Sequence, residues 1–254
     1  MEEGRAAVTV VIAARNESAN IGECLASVSW ASERIVVENG STDDTADRAR
    51  HGGATVIDPP FETIGLARNA GIEIARNPWI LVLDADERCT PELAAEITEM
   101  LREGPRHEAY RIPRRNFFLG KEIRHGGWQR DTPVRFFSST LRYDSKQVHE
   151  GVRHTGSVGD TRGALIHYTY ATLDNYFEKF DRYSRHWAEQ NYACGRRAGV
   201  APVVFRPPAR FLSMYVLRGG WMDGARGLIL ASLAAASVMA KYVRLWSMSA
   251  NKER

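Results

Sequence analysis

Short β-branched runs alternate with helix-period stretches over the first half of this chain, and one run, Trp79 to Leu83, contains no polar residue. A strand exposed on one face alternates apolar with polar residues, whereas an unbroken apolar run suits a strand buried on both faces of a parallel sheet. Val8 to Ala13, Arg34 to Glu38, Thr55 to Asp58 and Trp79 to Leu83 are therefore expected as four successive strands. Asn20 to Trp30, Ser41 to Ala49 and Thr63 to Ala75 supply helices between them. The second of these should open on a Ser41 cap with Asp44 three residues on. Thr90 and Pro91 give a cap and a first-turn proline for a further helix to Glu103. The pattern predicts an α/β fold, a mostly parallel twisted sheet flanked by helices.

After Gly104 the rhythm changes to short strands at Ala109 to Pro113, Pro133 to Ser138 and Ala164 to Tyr168, which reads as α+β. Leu173 to Trp187 then carries one apolar stripe opposite charges and is expected as a helix. The expected organisation is one main domain over 1–195, with halves 1–104 and 105–195, followed by a separate helical segment over 196–254. Charge divides at the same place. Residues 196–254 hold ten Arg and Lys against Asp223 and Glu253, a local +8 that leaves −5 for the rest. Cys24, Cys89 and Cys194 have neither disulfide-framework nor zinc-site spacing, which fits a reducing cytosol. The short apolar run after Glu2 and Glu3 is unlike a signal peptide, so export is not expected.

Asp84 and Asp86 sit just past the Trp79 to Leu83 strand, two residues apart, a spacing that points both carboxylates one way. At the carboxyl end of an open sheet, such a pair suits a hard divalent cation, Mg²⁺ or Mn²⁺, bridging to a diphosphate. A D-x-D tripeptide alone reads better as a solvated turn before a helix. Its company favours the metal: Ala13-Ala14-Arg15-Asn16-Glu17 follows strand one, Val37-Glu38-Asn39-Gly40-Ser41 follows strand two, and Gly65 to Gly71 with Arg68-Asn69 precedes strand four.

On these residues the chain resembles the inverting glycosyltransferases of family 2, which have the GT-A fold and bind a nucleotide-sugar through this series of loops. The resemblance implies nucleoside contacts at Ala13, Arg15, Glu17 and Glu38, an Arg68-Asn69 pair near the diphosphate, Asp84 with Ala85 at the ribose, and metal at Asp84 and Asp86. The family usually carries Asp where Glu38 stands, one methylene shorter. It also implies a base in the acceptor half, for which Glu150 in Val148-His149-Glu150 is the candidate and His149 the alternative. Residues 1–104 would then form the nucleotide-sugar half and 105–195 the acceptor half.

Arg111 to Gly120, Arg124 to Trp128 and Arg135 to Phe137 mix cations, aromatics and glycines. Arg forks suit phosphate or carboxylate and aromatic faces suit sugar rings, so Arg114, His125, Trp128 and Arg135 are candidate acceptor contacts. Core packing explains Phe117, Phe118 and Trp128 equally well. The series from Tyr110 through His167-Tyr168-Thr169-Tyr170 is similar to the lipopolysaccharide core β-1,4-glucosyltransferases within family 2, over about Val8 to Trp246. That similarity implies a β-linked hexose, glucose from UDP-glucose, added to a lipid-linked inner-core acceptor. A polyprenyl-phosphate glycosyltransferase and a non-catalytic sugar-nucleotide-binding protein are the alternatives. A processive synthase would carry a Q-x-x-R-W motif, which is absent.

In the tail, Pro207 to Leu217 and Gly227 to Ala240 are apolar stretches flanked by cations, each shorter than the ~20 residues of a spanning helix. They are expected to lie in the interface of an anionic membrane, at the cytoplasmic face of the inner membrane, as a peripheral or monotopic segment. A buried helical hairpin is the competing arrangement. The cations are spaced around apolar helices rather than clustered, which argues against nucleic acid.

Overall fold

The computed structural model describes residues 5–58, 61, 63–144, 151–170 and 172–250. The chain divides into two compact units, Met1–Arg114 with Asp131–His167 and Arg115–Arg130 with Tyr168–Arg254. The division falls inside two strands, and it groups the long helix after Leu173 with the C-terminal helices.

The first unit is built on β1 (Ala6–Ala14), β2 (Ala31–Glu38), β3 (Thr55–Ile57) and β4 (Trp79–Asp84), with α1 (Ile21–Ser27), α2 (Thr45–His51) and α3 (Ile64–Glu73) between them. β5 (Glu87–Cys89), α4 (Pro91–Glu103), β6 (Ala109–Arg111), β9 (Val134–Ser138), β10 (Arg142–Tyr143), β11 (Val152–Arg153) and β12 (Val158–Asp160) follow. Two strands, β7 (Arg114–Phe118) and β13 (Leu165–Tyr170), straddle the division, and β8 (Lys121–Glu122) belongs to the second unit.

The main sheet runs β12-β6-β9-β4-β1-β2-β3. β1 pairs in parallel with β2 and β4, and β2 with β3, whereas β9 is antiparallel to β4 and β6. Alternation along β1 sends Val8, Val10 and Ile12 to one face, against Ile21 and Leu25 of α1 and Leu93 and Ile97 of α4. Val11 goes to the other face with Ile35, Val37 and Val82, against Ala67 and Ile72 of α3. Burial on both faces is why these strands read as continuous apolar runs.

Thr63 and Thr90 cap α3 and α4 as their hydroxyls accept from the amides of Leu66 and Leu93. The helix expected from Ser41 begins later, at Thr45, because the Ser41 hydroxyl accepts instead from the Asn16 amide at 2.8 Å. β5 was not expected. Its first two residues, Glu87 and Arg88, are charged yet buried, so in sequence they resemble a solvated turn.

The second unit holds α5 (Leu173–Ala193), α6 (Val200–Leu212), a π turn (Ser213–Leu217), a 3-10 turn (Gly220–Asp223) and α7 (Gly224–Ala250). Phe118, Ile123, Tyr176, Met214 and Leu230 form one cluster of its core; Ala188, Ala198 and Leu245 form another. The second apolar stretch of the tail does not stop before Lys241. α7 runs on through Lys241 and Arg244, because Arg244 pairs with Asp181 of α5 and the Lys241 ammonium lies 6.0 Å from the Trp187 ring centre. Gly220–Ala250 is thereby long and apolar enough to cross a membrane by length and composition, a weak indication taken alone.

Candidate active site

Parallel pairing brings three strand ends together. Ala13 stands beside Val37 on one side and Asp84 on the other, and Ala14 beside Glu38. Ligands of open α/β sheets collect at this carboxyl edge.

The loops after β1 and β2 are tied to each other. Asn16 has a left-handed φ of 54°, and its side-chain oxygen accepts from the Thr42 amide at 2.8 Å. The amides of Glu17 and Ser18 donate to Thr45 Oγ1 and Asp43 Oδ2. Arg15 is exposed beside this junction, and the Glu17 carboxylate accepts from the Asn20 side chain at 2.7 Å. Glu38 is buried, and its two oxygens accept from the amides of Gly40 and Ser41 at 3.0 and 2.5 Å. Burial pushes this carboxyl up, but the hydrogen bonds from Ser41, Asp58 and Gly40 outweigh it and hold the group below its ordinary range.

The turn after β4 is built from charge. Arg68 of α3 donates to Asp84 Oδ1, and Arg135 of β9 donates to Asp84 Oδ2. Arg114 approaches Asp84 Oδ2 at 3.5 Å, and its Nε lies 2.7 Å from Glu87 Oε1. Glu87 is fully buried, accepts from the Asp84 amide at 2.8 Å and meets Arg135 at 3.4 Å. Arg88 closes the turn by donating to the carbonyls of Ala85 and Glu87, both at 2.9 Å. Burial would raise the Asp84 carboxyl, but Arg135, Arg68 and Arg114 together hold it well below the usual carboxylate range. Three guanidiniums thus face two carboxylates, Asp84 and Glu87.

The two expected metal ligands have different surroundings. Both Asp84 oxygens already accept from guanidiniums, which is a poor setting for a cation ligand. Asp86 is buried, with its Oδ1 3.6 Å from His167 Nε2, and a carboxylate beside an imidazole is a donor pair open to a first-row divalent cation. Among the described residues no three His, Cys, Asp or Glu side chains form a metal-holding group.

Asn69, one residue beyond Arg68, accepts from the Tyr143 amide at 2.9 Å and donates to the Tyr143 carbonyl at 3.0 Å. α3 therefore holds Asp84 with one side chain and β10 with the next. Tyr143 pairs with Val152, the Asp144 amide donates to the Gly151 carbonyl at 3.0 Å, and the Gly151 amide donates to Asp144 Oδ1 at 3.2 Å; His149 and Glu150 lie outside the described residues. Of the expected acceptor contacts, Arg114 and Arg135 join the Asp84 cluster. His125 and Trp128 lie in the second unit, where the His125 amide donates to Asp223 at 2.9 Å and Trp128 packs near Tyr170. Phe118 is a core residue of that unit. Glu87 and His167 had no assigned role in the sequence, although Glu87 directly follows the D-x-D tripeptide and His167 opens the His167 to Tyr170 series.

Residues 9–160 match the model of the family described as glycosyl transferase family 2. The chain is 29% identical over 251 residues to the lipopolysaccharide core biosynthesis glycosyltransferase LpsC of Rhizobium meliloti (strain 1021), covering 94% of this chain and 92% of that one. It is 27% identical over 252 residues to the uncharacterized glycosyltransferase RP128 of Rickettsia prowazekii (strain Madrid E), covering 94% and 85%. Among solved structures, glucosyl-3-phosphoglycerate synthase from Mycobacterium tuberculosis in complex with Mn²⁺, UDP-glucose and phosphoglyceric acid aligns with a TM-score of 0.39 at 27% identity, over 44% of each chain. This chain thus spans less than half the length of that structure.

Proposed function

This chain belongs to glycosyl transferase family 2, and from that premise we propose that it transfers a hexose, glucose from UDP-glucose, with inversion to a lipid-linked saccharide such as the lipopolysaccharide inner core. The observation that carries the proposal is the charged turn after β4, lying where the ends of β1 and β2 meet it. Likeness to LpsC over nearly the whole of both chains supports the acceptor class. The reaction belongs at the cytoplasmic face of the inner membrane.

In this reading the strapped loops around Asn16 and Glu38 receive the nucleoside, and Arg68 faces the diphosphate from α3. Asp86 with His167 would hold a divalent cation, whose chemistry is to offset charge on the departing diphosphate. Asp84 is then a fixed counter-charge that sets three guanidiniums around the turn, rather than the principal metal ligand. Transfer forms one bond, from the acceptor oxygen to the anomeric carbon, and breaks the bond from that carbon to the diphosphate. The electron pair leaves with the nucleotide. Glu150 takes the proton released by the acceptor hydroxyl, with His149 the other residue able to do so.

The test is transfer of labelled glucose from UDP-glucose, with Mn²⁺, to lipid A carrying the inner core. Product is expected with the unaltered protein and lost in Glu150→Gln, while the variant still binds UDP. Absence of both transfer and hydrolysis with every UDP-hexose would overturn the proposal; turnover undiminished in Glu150→Gln would remove that residue from it.

A further inference from the structure

The outward side of the helical unit is apolar. Along α6 and the turn after it, Val200, Val204, Pro208, Leu212 and Val216 recur every four residues as one exposed row, with Phe205 beside it at 70% exposure. A helix facing only water carries its polar residues on that side. At the tip between α6 and α7, Leu217 and Trp221 are 81% and 58% exposed. The tip is a built structure. A Cβ on Gly227 would fall 1.8 Å from the Gly220 carbonyl oxygen, so α7 touches the turn backbone directly, and Asp223 accepts from the amides of Arg124 and His125. Along α7 the row continues through Leu228, Ile229, Met239, Val243 and Trp246.

Cations border this face, and carboxylates are scarce on it. Among the described residues Arg206, Arg210, Arg218 and Lys241 form no ion pair, and Asp223, the one acid described from 196 onward, is already engaged. Burial lowers the Arg210 and Lys241 pKa values, and repulsion from Arg218 and from Arg210, respectively, lowers them further. The cluster is short of anions.

A spanning α7 is disfavoured by its neighbour. The Trp187 and Tyr242 ring centres lie 5.0 Å apart, Ala188 and Leu245 share a core cluster, and Arg244 pairs with Asp181. α5 therefore lies along α7, and it carries Arg182, Arg185, His186 and Glu189, which hydrocarbon would have to accept alongside any span.

We propose that the exposed face of α6, the tip at Leu217 and Trp221, and the outer row of α7 form an in-plane docking surface for an anionic bilayer, with both ends of α7 on one side of the membrane. The apolar rows enter the headgroup boundary, the tip aromatic sits at the interface, and the cations meet lipid phosphate. The inference deepens the lipid-linked acceptor reading by assigning the surface that brings the enzyme to its substrate.

The experiment uses the full chain in flotation with sealed vesicles of phosphatidylcholine alone, or with added phosphatidylglycerol. Anionic vesicles are expected to bind on the order of tenfold more protein. Leu217→Glu with Trp221→Glu should abolish flotation with an unchanged melting temperature, since both side chains are exposed. Arg206→Glu with Arg218→Glu should erase only the preference for phosphatidylglycerol. With the exposed Cys194 replaced by Ser, single cysteines at Ala225 and Ser247 should both react with an impermeant maleimide added outside the vesicles. No flotation, equal binding to both vesicles, flotation indifferent to the tip substitutions, or protection of one cysteine each overturns the proposal. UDP-glucose binding without vesicles, measured on the same samples, separates the two ideas. Binding without flotation sinks the docking surface alone, and flotation without binding sinks the catalytic reading alone.

Discussion

Glu87→Gln tests the physical logic of the site most sharply, because it removes one charge and almost no volume. Glu87 is fully buried, with Arg114 at 2.7 Å and Arg135 at 3.4 Å, and it accepts from the Asp84 amide. The glutamine oxygen can still serve that amide, but its NH₂ group then faces guanidinium donors, and Asp84 must balance three cations with help only from Asp131, 3.4 Å from Arg114. Removing one member of a buried ion pair costs about 3–5 kcal/mol, since the partner charge stays buried without its counter-charge. In a chain of this size each kcal/mol lowers the melting temperature by roughly 2–4 °C, so a fall of roughly 6–20 °C is expected. The assay is thermal unfolding at neutral pH followed by near-ultraviolet circular dichroism. Glu99→Gln, which breaks the exposed pair with Arg102, should leave the melt unchanged and serves as control. A Glu87→Gln melt within about 2 °C of the unaltered protein would refute the claim that this cluster is held by charge.

Three further outcomes follow from the same geometry. Gly71→Ala places a Cβ 2.5 Å from Val11 and 2.9 Å from Val37 side-chain carbons, so α3 must lift from the sheet; a loss of about 1–3 kcal/mol in urea unfolding is expected. Asn16→Ala deletes the acceptor for the Thr42 amide and disfavours the left-handed backbone at that position, so UDP affinity should fall while the core melt changes little, as calorimetry would show. Glu38 is held below its ordinary carboxyl range in the fold. Its stabilisation is therefore complete above the unfolded value of about 4.3 and is lost as pH falls through the folded value, and Glu38→Gln should flatten the acid side of the stability profile.

Much of the sheet was legible because burial on both faces leaves β1, β2 and β4 few polar residues, and the start of α4 was legible because Thr90 with Pro91 marks it. The failures share a cause. Glu87 and Arg88 open a strand only because Arg114, Arg135 and Glu23 neutralise them from distant parts of the chain, which no local pattern reveals. Ser41 looked like a cap because its competing partner, the Asn16 amide, is 25 residues away. α6 runs through Pro207 and Pro208, which normally end a helix, and its exposed apolar face matters only once the packing is known. At the site, Asp84 and Asp86 were visible as a pair, but their different surroundings depend on Arg68, Arg135 and His167 arriving from three other elements.

Calorimetric titration of UDP-glucose into the metal-stripped protein, with and without added Mn²⁺, tests the central claim most directly when repeated on Asp86→Ala. Tight binding that requires Mn²⁺ and weakens by an order of magnitude or more in the variant is the expected result. Heats identical with and without the ion, and identical in Asp86→Ala, would contradict a metal-anchored nucleotide-sugar site at the end of β4.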